Sequence, residues 1–237
     1  MTSTRLLLVR HGATVLSAED RFAGETDVAL SETGAEQARK LAARLREEPI
    51  AAFYASPLIR ARDTARFLAA PHGQPVELRD ALREISHGRW EGHTREEVEA
   101  LHPEEYAHWE EDPFTFAPEG GETGLDVTAR ALPSLLDMVR RHEGKLVLVV
   151  SHKATIRLVL SSLLGFDPRG YRDRLDLSPT GLNVIDFRGA RGSGAMHARL
   201  TLYNDISHYA PGPSGLPGIP SSRLSKRWSS APDGRGT

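Results

Sequence analysis

Two apolar runs that each end in a histidine constrain this chain more than any other feature. Leu6-Leu7-Leu8-Val9 leads into Arg10-His11-Gly12, and Leu146-Val147-Leu148-Val149-Val150 leads into Ser151-His152. A short unbroken apolar run bounded by polar residues and glycine reads as a strand buried on both faces. In open α/β sheets, ligands bind beyond the carboxyl ends of the strands. Two such strands, each delivering an imidazole to that edge, point to chemistry rather than packing.

The rest of the chain supplies the setting. Strand and helix patterns alternate, which predicts an α/β fold: a three-layer α/β/α sandwich around a mostly parallel sheet. After a polar loop over 13–30, a helix is expected to begin near Ser31 or Thr33, with Thr33 and Glu36 at capping-box spacing. Its apolar face would be Ala35, Ala38, Leu41, Ala42 and Leu45, and Pro49 would close it. A strand follows over 50–55. Ser56-Pro57 then reads as N-cap and first residue of a helix over 57–70, which places Arg60 in the first turn. A weak strand is expected over 76–82. Further on, a long helix over 123–142 would turn Leu125, Ala129, Leu132, Leu136 and Val139 inward, with Pro133 kinking it or costing a hydrogen bond. A helix over 154–164 stopped by Gly165 and strands over 182–187 and 198–203 complete the pattern.

Between 81 and 124 the periodicity loosens and aromatics gather, including Trp90, Tyr106, Trp109, Phe114 and Phe116. Thr94 with Glu97 boxes a short helix and Pro103 starts another. The expected organisation is one domain over 1–210, with a helical lid inserted over about 85–123. A flexible tail rich in Pro, Gly and Ser would follow over 211–237.

Lys+Arg 30 against Asp+Glu 32 gives a net charge of -2, so no bulk field calls for nucleic acid or a membrane surface. An anion site must therefore be a local cluster of cations. Cysteine is absent, which removes disulfides, thiolate metal sites and thiol chemistry, and fits a cytoplasmic protein. No apolar leader precedes the first strand, and no run is long enough to span a bilayer.

Arg10, His11, Arg60 and His152, together with the N-terminus of the helix after His152, would form a pocket for a small doubly charged tetrahedral anion. Each has a bland alternative: a strand-end pair in a turn, a satisfied histidine, a surface arginine. The remaining histidines, among them His72, His93, His102, His108, His142, His197 and His208, show no metal-ligand spacing, and no metal or cofactor is expected.

Four segments in order carry a resemblance. Leu8-Val9-Arg10-His11-Gly12 with Arg21-Phe22-Ala23-Gly24 and Leu30-Ser31-Glu32-Thr33-Gly34 resembles the opening of the histidine phosphatase superfamily, the phosphoglycerate mutase-like proteins. Ser56-Pro57-Leu58-Ile59-Arg60-Ala61, then Leu82-Arg83-Glu84 with Gly88-Arg89-Trp90-Glu91-Gly92, then Val150-Ser151-His152 with Ile156-Arg157, are similar to its later motifs. The resemblance implies metal-independent hydrolysis of a small phosphomonoester through a phosphohistidine. His11 would be the nucleophile, and Arg10, Arg60 and His152 would hold the phosphoryl oxygens. Glu84 would carry the proton, and the carbonyl of Gly12 or a neighbour would fix the His11 tautomer.

The chain also departs from the family pattern. Ser17 stands where an asparagine often contacts phosphate, and Lys153-Ala154 replaces a glycine pair. His87 takes the place of an aromatic, which makes it a candidate selector of substrate. Ser17, Gly24, Lys153 and His87 are therefore candidate substrate contacts beside Arg10 and Arg60, although each also reads as packing or surface. Trp90-Glu91-Gly92 reads as structural.

Two alternatives stay open. Ala129-Arg130-Ala131-Leu132-Pro133 is shared with phosphoglycerate mutases, but the insertion over 96–111 is acidic, which disfavours holding a bisphosphate. A quiet phospho-ligand binder would be expected to have lost the nucleophile or an arginine. A homodimer paired along strand 198–203 is possible on its pattern.

Overall fold

The computed structural model describes residues 3–18, 21–189 and 196–210, with the side chains of 17 and 18 excepted. The proposed tail over 211–237 lies outside the described residues.

Six strands form one sheet: β1 (Ser3–Arg10), β2 (Ile50–Ala55), β3 (Val76–Leu78), β4 (Leu146–Ser151), β5 (Leu182–Gly189) and β6 (Met196–Asp205). The spatial order is β3-β2-β4-β1-β5-β6. β3, β2, β4 and β1 pair in parallel, and β5 and β6 are added antiparallel. The expected strand over 76–82 ends at Leu78, because 80–82 turns into a 3-10 segment under the sheet edge.

Among the described residues the α-helices are α1 (Val15–Ala18), α2 (Glu32–Leu45), α3 (Ile59–Ala69), α4 (Arg95–Leu101), α5 (Pro103–Glu111), α6 (Gly124–Arg141), α7 (Lys153–Leu164) and α8 (Tyr171–Arg174). Strand side chains alternate between two buried layers, which is why β1 reads as continuous leucine and valine. Leu7 and Val9 pack with Leu41 and Leu45 of α2 and Ala61 and Leu68 of α3. Leu6 and Leu8 pack on the other face with Leu135 and Met138 of α6 and Ile156 and Leu160 of α7.

Three local readings shift. The cap of α2 is Ser31, whose hydroxyl accepts from Gly34 N–H at 3.1 Å, rather than Thr33. α3 begins at Ile59, two residues after Pro57, and Ser56 Oγ instead accepts from Leu58 N–H at 3.3 Å. In α6 the buried line is Gly124, Val127, Ala131, Leu135 and Met138 with Val139, while Leu125 is 53% exposed. Pro133 sits on the exposed face, where the carbonyl it leaves unbonded meets water. Both capping expectations for the insertion hold: Thr94 boxes α4 with Glu97, and Pro103 opens α5.

The insertion has a core of its own. Trp90 is fully buried against Val98 and Trp109, with Phe22, Tyr106 and Phe116 around them. Its indole N–H donates to Glu105 at 3.0 Å.

Candidate active site

β4 and β1 are neighbours in register, with Arg10 opposite Ser151, and His11 N–H donates to the Ser151 carbonyl at 3.0 Å. The residues that follow, His11 and His152, therefore meet at the centre of the sheet edge, with ring centroids 5.1 Å apart. Arg60 arrives from the first turn of α3, after the next strand over. Arg10, His11, Arg60 and Glu84 line a cleft of about 230 Å³.

His11 Nδ1 lies 2.7 Å from the carbonyl oxygen of Gly12. A carbonyl only accepts, so the proton sits on Nδ1 and the lone pair on Nε2. This is the tautomer clamp expected at Gly12. The turn that makes it is tight: a Cβ on Gly12 would lie 2.5 Å from the Gly34 carbonyl, and one on Gly34 would lie 2.1 Å from the Ala13 carbonyl. Only glycine at both positions lets the start of α2 close on the turn after β1. Thr64 Oγ1 then receives Gly12 N–H at 3.0 Å.

The cations are buried and held from behind. Arg10 donates to the Leu177 carbonyl at 2.5 Å, and burial pulls its guanidinium down to about 10, still charged at neutral pH. Arg60, 1% exposed, donates to the Gly24 carbonyl at 2.6 Å and the Thr26 carbonyl at 2.7 Å. Gly24 sits at φ +47, and a Cβ there would meet the Glu91 carboxylate at 2.0 Å. That carboxylate accepts from Glu25 and Thr26 N–H at 3.0 and 2.9 Å, so Glu91 is structural, as expected, and Gly24 acts through Arg60. His152 is fully buried, and neither of its ring nitrogens has a hydrogen-bond partner among the described residues. An unsatisfied buried imidazole beside two guanidiniums calls for a ligand with acceptor oxygens.

The α7 N-terminus does not play the expected part. The group it holds is Glu84, whose carboxyl oxygens accept from Ala154 N–H at 3.2 Å and from Thr155 N–H and Oγ1 at 3.1 Å. The sequence did not flag Arg130 as an anchor, yet it pins the segment that carries Glu84. It donates to the carbonyls of Ala81, Arg83 and Glu84 at 2.9 to 3.0 Å and pairs with Glu122 at 2.8 Å. Arg83 and Arg89, which lie near Glu84 in sequence, pair elsewhere: Arg83 with Glu25 and Asp80, Arg89 with Glu105 and Glu119.

Of the further candidates, Lys153 and His87 line the cleft, and His87 packs on Phe22 with ring centroids 4.6 Å apart. Ser17 lies on α1, and its side chain is outside the described residues. The cleft also takes in Arg95, Trp109, Arg157 and Arg172, none of which was singled out as a substrate contact.

Burial holds several of these imidazoles neutral. His11 and His152 are pushed well below their ordinary value, first by burial and then by Arg60, and His87 is pushed down to about 4, mainly by burial. Between pH 6.5 and 4 the unfolded chain therefore binds protons that the folded chain refuses. The stability present above pH 6.5 is lost as pH falls. For His87 alone the full loss is about 3 kcal/mol. Urea midpoints should fall steadily from pH 7 to pH 5, before most carboxylates titrate, and a flat profile over that window would contradict this account.

The comparisons with known proteins agree with this geometry. A phosphoserine phosphatase 1 from Hydrogenobacter thermophilus is 37% identical over 163 residues, covering 69% of this chain and 77% of that protein. A glucosyl-3-phosphoglycerate phosphatase from Mycolicibacterium vanbaalenii is 36% identical over 172 residues, covering 70% and 76%. A solved phosphoserine phosphatase from Entamoeba histolytica, in complex with 3-phosphoglyceric acid, superposes with a TM-score of 0.74 at 31% identity, covering 87% of this chain and all of that one. The model of the histidine phosphatase superfamily (branch 1) matches residues 6–198, and with His11, Arg10, Arg60 and His152 gathered at one sheet edge, the chain belongs to that superfamily.

Proposed function

We propose that this histidine-type phosphatase hydrolyses a small phosphomonoester through a phosphohistidine formed on His11. The observation that carries the reading is the 2.7 Å contact from His11 Nδ1 to the Gly12 carbonyl, which leaves Nε2 as the nucleophile. In the first half-reaction Nε2 bonds to phosphorus, the ester P–O bond breaks, and the leaving alcohol takes a proton from Glu84. In the second, water gives its proton back to Glu84 as its oxygen bonds to phosphorus, and the N–P bond breaks. Arg10, Arg60 and His152 surround the transferred group, and fixed cations of this kind supply most of what phosphoryl transfer asks of a protein. No step draws on a metal.

The names of the relatives favour hydrolysis over transfer between hydroxyls. The acidity of the insertion does not. Glu97, Glu105 and Glu110 are paired with Arg21, Arg89 and Arg172, and the insertion lends the cleft His87, Arg95 and Trp109 but no carboxylate. A cytoplasmic location rests on the cysteine-free composition. Pairing of two copies rests on β6, which ends the strand order. Among the described residues no helix is long and apolar enough to cross a membrane.

The test is phosphate release from a panel of phosphate esters in the presence of chelator, with acid- and base-quenched samples assayed for label on the protein. Turnover that survives chelation, with a base-stable, acid-labile label, is the expected result. Isomerisation of 3-phosphoglycerate outpacing phosphate release from every ester would overturn the hydrolytic reading.

A further inference from the structure

The cleft carries more positive charge than one phosphoryl group uses. Arg or Lys lines it at seven positions and a carboxylate at one, Glu84. A phosphomonoester brings about two negative charges at neutral pH, and Arg10 and Arg60 already match them. Of the rest, Arg95, Lys153, Arg157 and Arg172 sit on the wall formed by α4, α5, α7 and α8, and Arg21 pairs with Glu97.

Trp109 of α5 organises that wall. The Arg172 guanidinium lies over its ring at 3.9 Å and that of Arg95 at 5.6 Å. Stacking on an aromatic face keeps a guanidinium's in-plane donors available at its edges. Arg172 is 8% exposed; Glu110 takes its terminal nitrogens at 2.8 and 3.3 Å, and Nε has no partner. Arg157 is 9% exposed, and its Nε also has no partner. The one carboxylate it pairs with, Asp176 at 3.6 Å, is 92% exposed. Both arginines line one cleft with side chains nine-tenths buried, and each has a buried Nε that finds no partner among the described residues, so neither guanidinium is fully satisfied by the protein.

We propose that Arg157 and Arg172, with Arg95 at the rim, form a carboxylate subsite that selects phosphomonoesters of small hydroxy acids. This rests on the phosphatase reading of the same cleft. One carboxylate fits better than a second phosphate, because Glu110 and Asp176 already offset part of the charge on Arg172 and Arg157. Phe22, His87 and Trp109 then form the apolar side between the two anionic ends, with Phe22 4.6 Å from His87 and 5.5 Å from Trp109.

The test uses two ligands that differ only at the end in question: 3-phosphoglycerate and glycerol 3-phosphate. Their dissociation constants are measured by calorimetry on His11→Ala protein, alone and combined with Arg172→Gln, Arg157→Gln or Arg95→Gln. The carboxylate should tighten binding by ~10-fold or more, the scale of a charge-assisted hydrogen bond. Either buried substitution should bring the ratio close to one while leaving the constant for glycerol 3-phosphate unchanged. Arg95→Gln, at an exposed position, cannot fail by unfolding and should lower the ratio about threefold. A ratio within twofold in the parent would overturn the subsite, as would tighter binding of propanediol bisphosphate than of 3-phosphoglycerate. Phosphate release from glycerol 3-phosphate by the wild type separates the two claims: release with no carboxylate preference sinks only the subsite, and preference without release from any ester sinks only the hydrolytic reading.

Discussion

Replacing the proposed nucleophile, His11→Ala, is expected to lower kcat by ~10⁴-fold or more while leaving a folded protein that still binds phosphate. Among the described residues the side chain makes one hydrogen bond, to the carbonyl of its own neighbour Gly12, so its removal breaks no hydrogen bond between distant elements and loses only the ring contact with His152. Arg10, Arg60 and His152 keep their places, because Leu177, Gly24 and Thr26 hold the two guanidiniums and the sheet core holds His152. Phosphate affinity should therefore change by less than about tenfold, since the charge-assisted contacts are retained. Steady-state assay and calorimetry on one preparation read both quantities, and the acid-labile label should vanish with the activity. Residual turnover above about one part in a hundred would show that another group attacks phosphorus, because loss of a true nucleophile leaves only binding and electrostatics to catalyse.

Much of this site was legible because its residues sit at the ends of strands buried on both faces. Leu6-Leu7-Leu8-Val9 and Leu146-Val147-Leu148-Val149-Val150 announce such strands directly, and the residues after them, His11 and His152, fall at the sheet edge by geometry alone. The α6 face was misread for a definite reason. Its contact line begins at Gly124, which packs against Phe114 and Leu158 with no side chain of its own, so a count of large apolar residues slid the face to Leu125. The anchoring of Glu84 was not legible either. It needs the first turn of α7, 70 and 71 residues away in sequence, and Arg130, 46 residues away, to close on one carboxylate-bearing segment. Composition alone does not describe the insertion's cleft face either: Glu97, Glu105 and Glu110 pair with Arg21, Arg89 and Arg172, and the insertion residues on the cleft are His87, Arg95 and Trp109.

Glu84→Gln should lower kcat for an alkyl phosphate by ~10²–10⁴-fold, the usual worth of a positioned proton carrier. The position has a second job, since its carboxylate ties the 82–84 segment to the start of α7 through Ala154 and Thr155. A glutamine keeps one acceptor for those donors but turns an N–H₂ toward another, which costs about 1–3 kcal/mol of stability. Loss of rate alone therefore does not separate proton transfer from anchoring; dependence on the leaving group does. An alkoxide needs its proton as the P–O bond breaks, whereas nitrophenolate departs without one. If Glu84 carries the proton, the first half-reaction with nitrophenyl phosphate, followed as a burst of nitrophenol, should be slowed by Glu84→Gln far less than the first half-reaction with an alkyl ester. The later attack of water should be slowed for both substrates alike. If Glu84 only anchors, the bursts on both esters should fall by the same factor, because a displaced α7 misplaces His152 whatever the leaving group.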